Sequence, residues 1–157
     1  MRKIIVTIFL LSILGSTVCQ AAGAVMINHV MAEKIDCING KGCFVTGPIS
    51  VVFELSAGAT ASNLKFTTLD QIMFLVGTYN VEQKIIEDVT GKVVTSAKHK
   101  SSTVKNNQEF RHLTVDWKFA AKMGMYTYQV VVNDEMIATY KIRVVGAREY
   151  SAKQLQR

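Results

Sequence analysis

The sequence predicts an all-β protein, an antiparallel sandwich of about seven or eight strands behind a cleaved signal peptide. Short runs of β-branched and aromatic residues, separated by turn residues, recur along most of the chain. No long helical pattern interrupts them. The chain has one proline and no linker or internal repeat, so we expect a single domain over residues 22–146 and a polar tail over 147–157.

The first 21 residues have the pattern of an export signal. Arg2 and Lys3 precede an apolar run over residues 4–14, and small residues follow up to Ala21, after which we expect cleavage. A run of about 11 apolar residues is too short to cross a bilayer of ~30 Å as a helix. Since no Asn-x-Ser/Thr sequon is present, we expect a bacterial protein that is periplasmic or secreted.

The charge of the mature chain excludes a dense nucleic-acid footprint. Removal of Arg2 and Lys3 leaves 16 basic and 12 acidic side chains, a net charge of +4. That balance suits weak attraction to an anionic glycan, a lipid surface or an acidic protein patch.

Two cysteines remain after cleavage, Cys37 and Cys43. An isolated pair in an oxidising compartment predicts a disulfide, and the glycines between the two residues suit a tight loop. A redox-active pair is the alternative, although the spacing is not Cys-x-x-Cys.

The last third of the chain predicts three half-buried strands. Apolar residues alternate with polar ones over 110–119, which points Trp117 into the core. The next two strands form a hairpin with Tyr128 opposite Tyr140 and Tyr126 opposite Ile142. We expect a three-residue loop over 133–135 with a bulge, pairing Val132 with Met136 and keeping Met136 on the apolar face.

Residues 71–79 form a strand that is apolar on both faces. Such a strand is either covered on both sides by its own chain or lies at an interface. The second alternative makes Ile72, Phe74 and Val76 candidate partner-binding residues, through strand addition or a homodimer contact.

From residue 81 to 145 the chain resembles bacterial extracytoplasmic immunoglobulin-like domains. Two patterns support the resemblance, D-x-x-G-x-V-V over 88–94 and G-x-Y-x-Y-x-V-x-V over 124–132, together with residues 113–117 and 142–144. The resemblance implies an immunoglobulin-like β-sandwich. It also implies an adhesive, scaffolding or accessory role, which is an analogy from fold alone.

No motif for catalysis or cofactor binding is present in the sequence, so we expect a protein that is not an enzyme and that needs no cofactor. The alternative is a periplasmic copper carrier. Thioether and imidazole ligands from Met26, His29 and Met31 suit Cu(I), although methionines of this kind also fill gaps in a core.

The main hypothesis from the sequence is an exported protein-binding or accessory module of an envelope or secretion system. A basic stretch supplies further candidate binding residues for an anionic partner, with a solvated loop as the alternative. These residues are Lys98, His99, Lys100, Lys105 and Arg111.

Overall fold

The computed structural model describes residues 23–38, 42–55 and 59–146. The predicted signal peptide, the polar tail and the middle of the cysteine loop lie outside the described residues.

Eleven strands and no helix lie in the described part of the chain, so the all-β prediction is confirmed and the strand count was too low. They are β1 (Ala24–Ile38), β2 (Gly42–Ile49), β3 (Val52–Leu55), β4 (Ala61–Phe74), β5 (Gly77–Tyr79), β6 (Val81–Glu87), β7 (Val93–Lys98), β8 (Ser102–Val104), β9 (Glu109–Lys122), β10 (Gly124–Val132) and β11 (Glu135–Gly146). Accordingly, the described residues contain no helix that is long and apolar enough to cross a membrane.

The strands form two large sheets and one small one. The first sheet has the order β2-β1-β4-β9 and the second the order β3-β11-β10-β6-β7, while β5 pairs with β8. The pairing is antiparallel except between β3 and β11, which are parallel. The prediction of a purely antiparallel arrangement was therefore wrong at this one pair.

The two large sheets face each other across a shared hydrophobic core. Trp117 of β9 packs edge-on against Tyr128 of β10, with ring centroids 5.9 Å apart, and Phe119 meets Tyr126 at 5.7 Å. Trp117 is 3% exposed, as the alternation of β9 predicts. Because side chains alternate along a strand, every second side chain of these strands lies between the two sheets.

The segment 49–55 is not one strand, because the chain passes there from one sheet to the other. The Ser50 amide donates to the Met31 carbonyl of β1, in one sheet. The Val51 carbonyl accepts from the Arg143 amide of β11, in the other sheet. The Ser50 hydroxyl accepts from the amide of Val52 at 3.0 Å and so stabilises the crossing.

The β10–β11 hairpin has the predicted register at its tyrosines but a different loop. Tyr128 lies opposite Tyr140, whereas Val132 pairs with Glu135 across a two-residue turn. Both turn residues, Asn133 and Asp134, have positive φ, which matches the twist that tight hairpins need.

A bulge next to that turn restores the apolar face. The register shifts between Val130 and Val131, so that the extra residue, Ile137, lies between the partners Met136 and Ala138. Ile137 is 1% exposed and Met136 is 44% exposed, so the prediction of Met136 on the core face was wrong.

We predict that Trp117→Ala lowers the free energy of unfolding by about 3–5 kcal/mol, since it empties a large volume between the sheets. It also removes the bond from the indole Nε1 to the Thr68 hydroxyl. Chemical denaturation measures the change. Val89→Ala is the control, because Val89 is 87% exposed, and there a change below about 0.5 kcal/mol is expected. Equal effects in the two variants would contradict the packing.

Candidate functional site

The two apolar faces of the strand predicted at 71–79 have different surroundings. Ile72 and Phe74 are 0% and 1% exposed within the core of this chain, so they do not offer a partner-binding surface. On this side the alternative of internal burial is correct. Met73, Leu75 and Val76 are not in the core, and the last two are 42% and 62% exposed.

An apolar row continues across the first sheet on its outer face. Val25 of β1 lies opposite Met73 of β4, which lies opposite Phe110 of β9. Phe110 is 51% exposed. Together with Leu75 and Val76 these three residues form what we call the outer patch.

The outer patch is open because the β1–β2 hairpin covers only the other half of this face. A disulfide joins Cys37 and Cys43, which lie opposite each other in the hairpin. The Cys37 sulfur is 3.4 Å from the Thr114 hydroxyl on β9, two strands away in the sheet, so the hairpin bends over the sheet. Thr67 on this outer face is 3% exposed. The predicted disulfide is thus present, and it lies at the end of the β1–β2 hairpin that covers this half of the outer face.

Tyr79 fixes the edge of the outer patch. Its hydroxyl lies 3.0 Å from the carbonyl oxygens of both Gly23 and Leu75. The Leu75 amide donates to the Gly23 carbonyl at 2.7 Å. A Cβ at Gly23 would collide with the tyrosine hydroxyl, and φ there is +88°, so only glycine fits without strain. Leu75 and Val76 are therefore presented by a braced corner.

The basic residues predicted to bind a partner do not lie together in the structure. Lys105 follows β8, whose Val104 pairs with Gly77, so Lys105 lies beside Val76 at the end of that ladder. Lys100 is exposed just before β8, and Lys98 lies opposite Glu82 in the β6–β7 ladder. Only Lys105 is brought to the outer patch by a strand pair.

Arg111 is engaged within the chain. Its guanidinium donates to both carboxylate oxygens of Glu109, at 2.8 and 2.9 Å, and lies 5.6 Å from the centroid of Phe74. Hydrogen bonds from Arg111 lower the pKa of Glu109 and keep it ionised. Arg111 thus neutralises the carboxylate of the residue that precedes Phe110 in the chain.

His99 belongs to the interior rather than to the basic surface. Its Nε2 is 2.6 Å from the side-chain oxygen of Gln83, which is completely buried. Burial lowers the pKa of His99, and the negative charge of Asp70 opposes this only in part.

A buried polar group that the sequence reasoning missed lies between the sheets. The carboxylate of Asp70 on β4 is 0% exposed and has three neighbours, which are His29 Nδ1 at 2.5 Å, Gln83 Nε2 at 2.5 Å and the Tyr128 hydroxyl. We call these four residues the Asp70 cluster. Asp70 alternates in phase with the core residues Ile72 and Phe74, and this alternation is the sequence feature that could have predicted its burial.

Two tyrosines at the Asp70 cluster have a raised pKa. Burial is the larger cause for Tyr128, whose pKa lies well above 10, and the charge of Asp70 adds to it. The same two causes, in the same order, raise the pKa of Tyr140 to about 12. His29 stacks on Tyr140 with ring centroids 3.9 Å apart.

The three residues of the copper hypothesis lie in different surroundings on β1. Met31 is 1% exposed in the core, Met26 packs against the core, and His29 directs Nδ1 to Asp70. His29 Nε2 is buried without a partner among the described residues. The described part of the chain holds no group of three or more His, Cys, Asp or Glu side chains placed for a metal ion. The copper site stays a prediction.

Comparison with known proteins gives no assignment for this chain. No protein-family model matches it, and no curated protein matches it.

We predict that Asp70→Asn lowers the free energy of unfolding by about 3 kcal/mol, because the amide replaces an accepting oxygen and leaves a buried donor without a partner. Urea denaturation measures the change. Asp116→Asn is the matched control, since Asp116 is exposed and accepts only from Thr67 among the described hydrogen bonds. A loss of less than about 1 kcal/mol is expected there. Equal losses would contradict a dominant role for Asp70.

We predict that stability falls as the pH rises above ~10. A tyrosine with a raised folded-state pKa retains its proton when the unfolded chain has lost it, so its contribution is complete below ~10 and is lost above. Denaturation at pH values from ~8 to ~11 measures the slope. Tyr140→Phe removes one titrating group, so its slope should be shallower. An unchanged slope in that variant would contradict the shift at Tyr140.

Proposed function

We propose that this chain is an exported, non-enzymatic protein-binding module, an accessory factor of a bacterial envelope or secretion assembly. The single observation that carries the proposal is the outer patch. Its Leu75 and Val76 follow β4 and its Phe110 lies on β9, and these residues are 42%, 62% and 51% exposed although β4 and β9 bury their other faces in the core. Neighbouring exposed apolar side chains on a folded domain are typical of a contact surface for another protein.

We further propose that the two sheets form an immunoglobulin-like sandwich. The order β11-β10-β6 in one sheet corresponds to G-F-C, with β7 as the added C′ strand, and β1-β4-β9 in the other corresponds to A-B-E. In antibody domains a disulfide joins strands B and F. Here the hydrogen bond between Asp70 of β4 and Tyr128 of β10 links the corresponding strands.

The basis for export is the pattern over residues 1–21 together with the disulfide. A structural disulfide between Cys37 and Cys43 suits an oxidising compartment such as the periplasm. A binding role also accounts for the bracing by Tyr79, because a preorganised surface loses less conformational entropy when it binds.

The chemistry of the Asp70 cluster supports a non-enzymatic role. Both oxygens of Asp70 have neighbours from the chain, and the cluster joins strands of the two sheets. The one ring nitrogen without a partner, His29 Nε2, is itself buried. A group in such a position acts as a structural link between the sheets.

Site-specific photocrosslinking in the native cell tests the proposal. We predict that a benzophenone amino acid in place of Phe110 yields one discrete adduct, and that the same group in place of Val89 yields none, although Val89 is also an exposed apolar residue. Adding Val76→Lys should reduce the adduct from position 110 roughly tenfold, because it places a charge in an apolar contact. Equal adducts from positions 110 and 89, or no adduct from 110, would overturn the proposal.

A further inference from the structure

We infer that the outer patch takes an acidic segment of its partner protein, with apolar side chains on the patch and a carboxylate beside Lys105. This inference rests on the proposed function and names the chemistry of the partner. It follows from the charges around the patch and from its shape.

Two chain segments beside the outer patch contain no acidic residue. Residues 71–80, which include Met73, Leu75 and Val76, have no charged side chain. Residues 98–108 have three lysines and one histidine and no acidic residue. An approaching partner therefore meets a positive potential at the side of the patch where Val76 lies.

Neither Glu109 nor Asp70 cancels that potential. Glu109 is held by both nitrogens of the Arg111 fork, and Asp70 is 0% exposed behind the sheet. The salt bridges of the described residues include none with Lys105 or Lys100. Both ammonium groups are on exposed residues, and β8 lies between them.

The shape favours a peptide segment over a flat lipid surface. Leu75, Val76, Asn107 and Gln108 line an open groove at the end of the patch. The two amide side chains can donate to and accept from a peptide backbone laid across the groove. Amide groups on the wall of this open groove match the polar groups of a peptide backbone, whereas the apolar interior of a bilayer offers them no partner.

Direct binding of synthetic peptides tests the inference. Fluorescence anisotropy compares three labelled 12-residue peptides that share the same leucines and differ only in Glu, Gln or Lys at the remaining positions. We expect the Glu peptide to bind the mature protein roughly fivefold or more tightly than the Gln peptide, and the Lys peptide to bind most weakly. The advantage of the Glu peptide should shrink when salt rises from about 50 to about 300 mM.

Charge reversal identifies the lysine responsible. Lys105→Glu should remove the preference for the Glu peptide, whereas Lys92→Glu should leave it intact. The second substitution makes the same change of net charge at an exposed position in the β6–β7 turn. Val76→Lys should weaken the binding of the Gln peptide as well, because that substitution disrupts the apolar contact.

The outcomes separate this inference from the proposed function. Equal binding of the Glu and Gln peptides, both weakened by Val76→Lys, would overturn the acidic segment and leave apolar docking in place. No binding of any peptide would overturn the inference, while the photocrosslink from position 110 would still decide the proposed function. Tighter binding to anionic phosphatidylglycerol vesicles than to the Glu peptide would overturn it in favour of a lipid surface.

Discussion

The carboxylate of Asp70 is the group on which the interior depends. A fully buried carboxylate is costly unless donors surround it, and here the donors come from β1, β6 and β10. Two of those strands belong to the sheet opposite Asp70. The carboxylate therefore links the two sheets by directed bonds, which fix relative position more narrowly than apolar packing does. Loss of one donor leaves two on a carboxylate that is 0% exposed, so water does not replace the lost hydrogen bond.

The inward position of Asp70 also determines which side chains of β4 lie on the outer face. For Asp70 to meet Tyr128, β4 must place its even-numbered residues inward, and Ile72 and Phe74 follow it into the core. Met73 and Leu75 must then point outward, because side chains alternate along a strand. A shift of one residue would bury Leu75 and expose the carboxylate, so the register that satisfies Asp70 also determines which apolar residues form the outer patch.

Alternation within strands allowed much of the fold to be predicted, since it depends only on local sequence. It located Trp117 in the core and placed Tyr128 opposite Tyr140. It failed where the register of the neighbouring strand decides the outcome, as at the bulge beside Ile137, which exchanges the burial of Met136 and Ile137. For the site, the apolarity of 71–79 was visible in the sequence, but which face is covered depends on the β1–β2 hairpin, folded over from another part of the chain.

The division of β4 between core and outer face would separate folding from the binding proposed for the outer patch. Because Ile72 and Met73 point to opposite faces of the same sheet, a polar substitution on the outer face removes no core contact, and its effect on binding is free of a large stability term. Lys100 and Lys105 are separate again, on the flanks of β8, where in the proposed binding they would add to the rate and selectivity of association rather than to the core. The brace from Tyr79 to Gly23 and Leu75 connects these regions, since it holds the corner between core strand and basic loop in one conformation. In the proposed role, substitutions at this one corner would change which partner segments bind, while the Asp70 cluster keeps the two sheets in register.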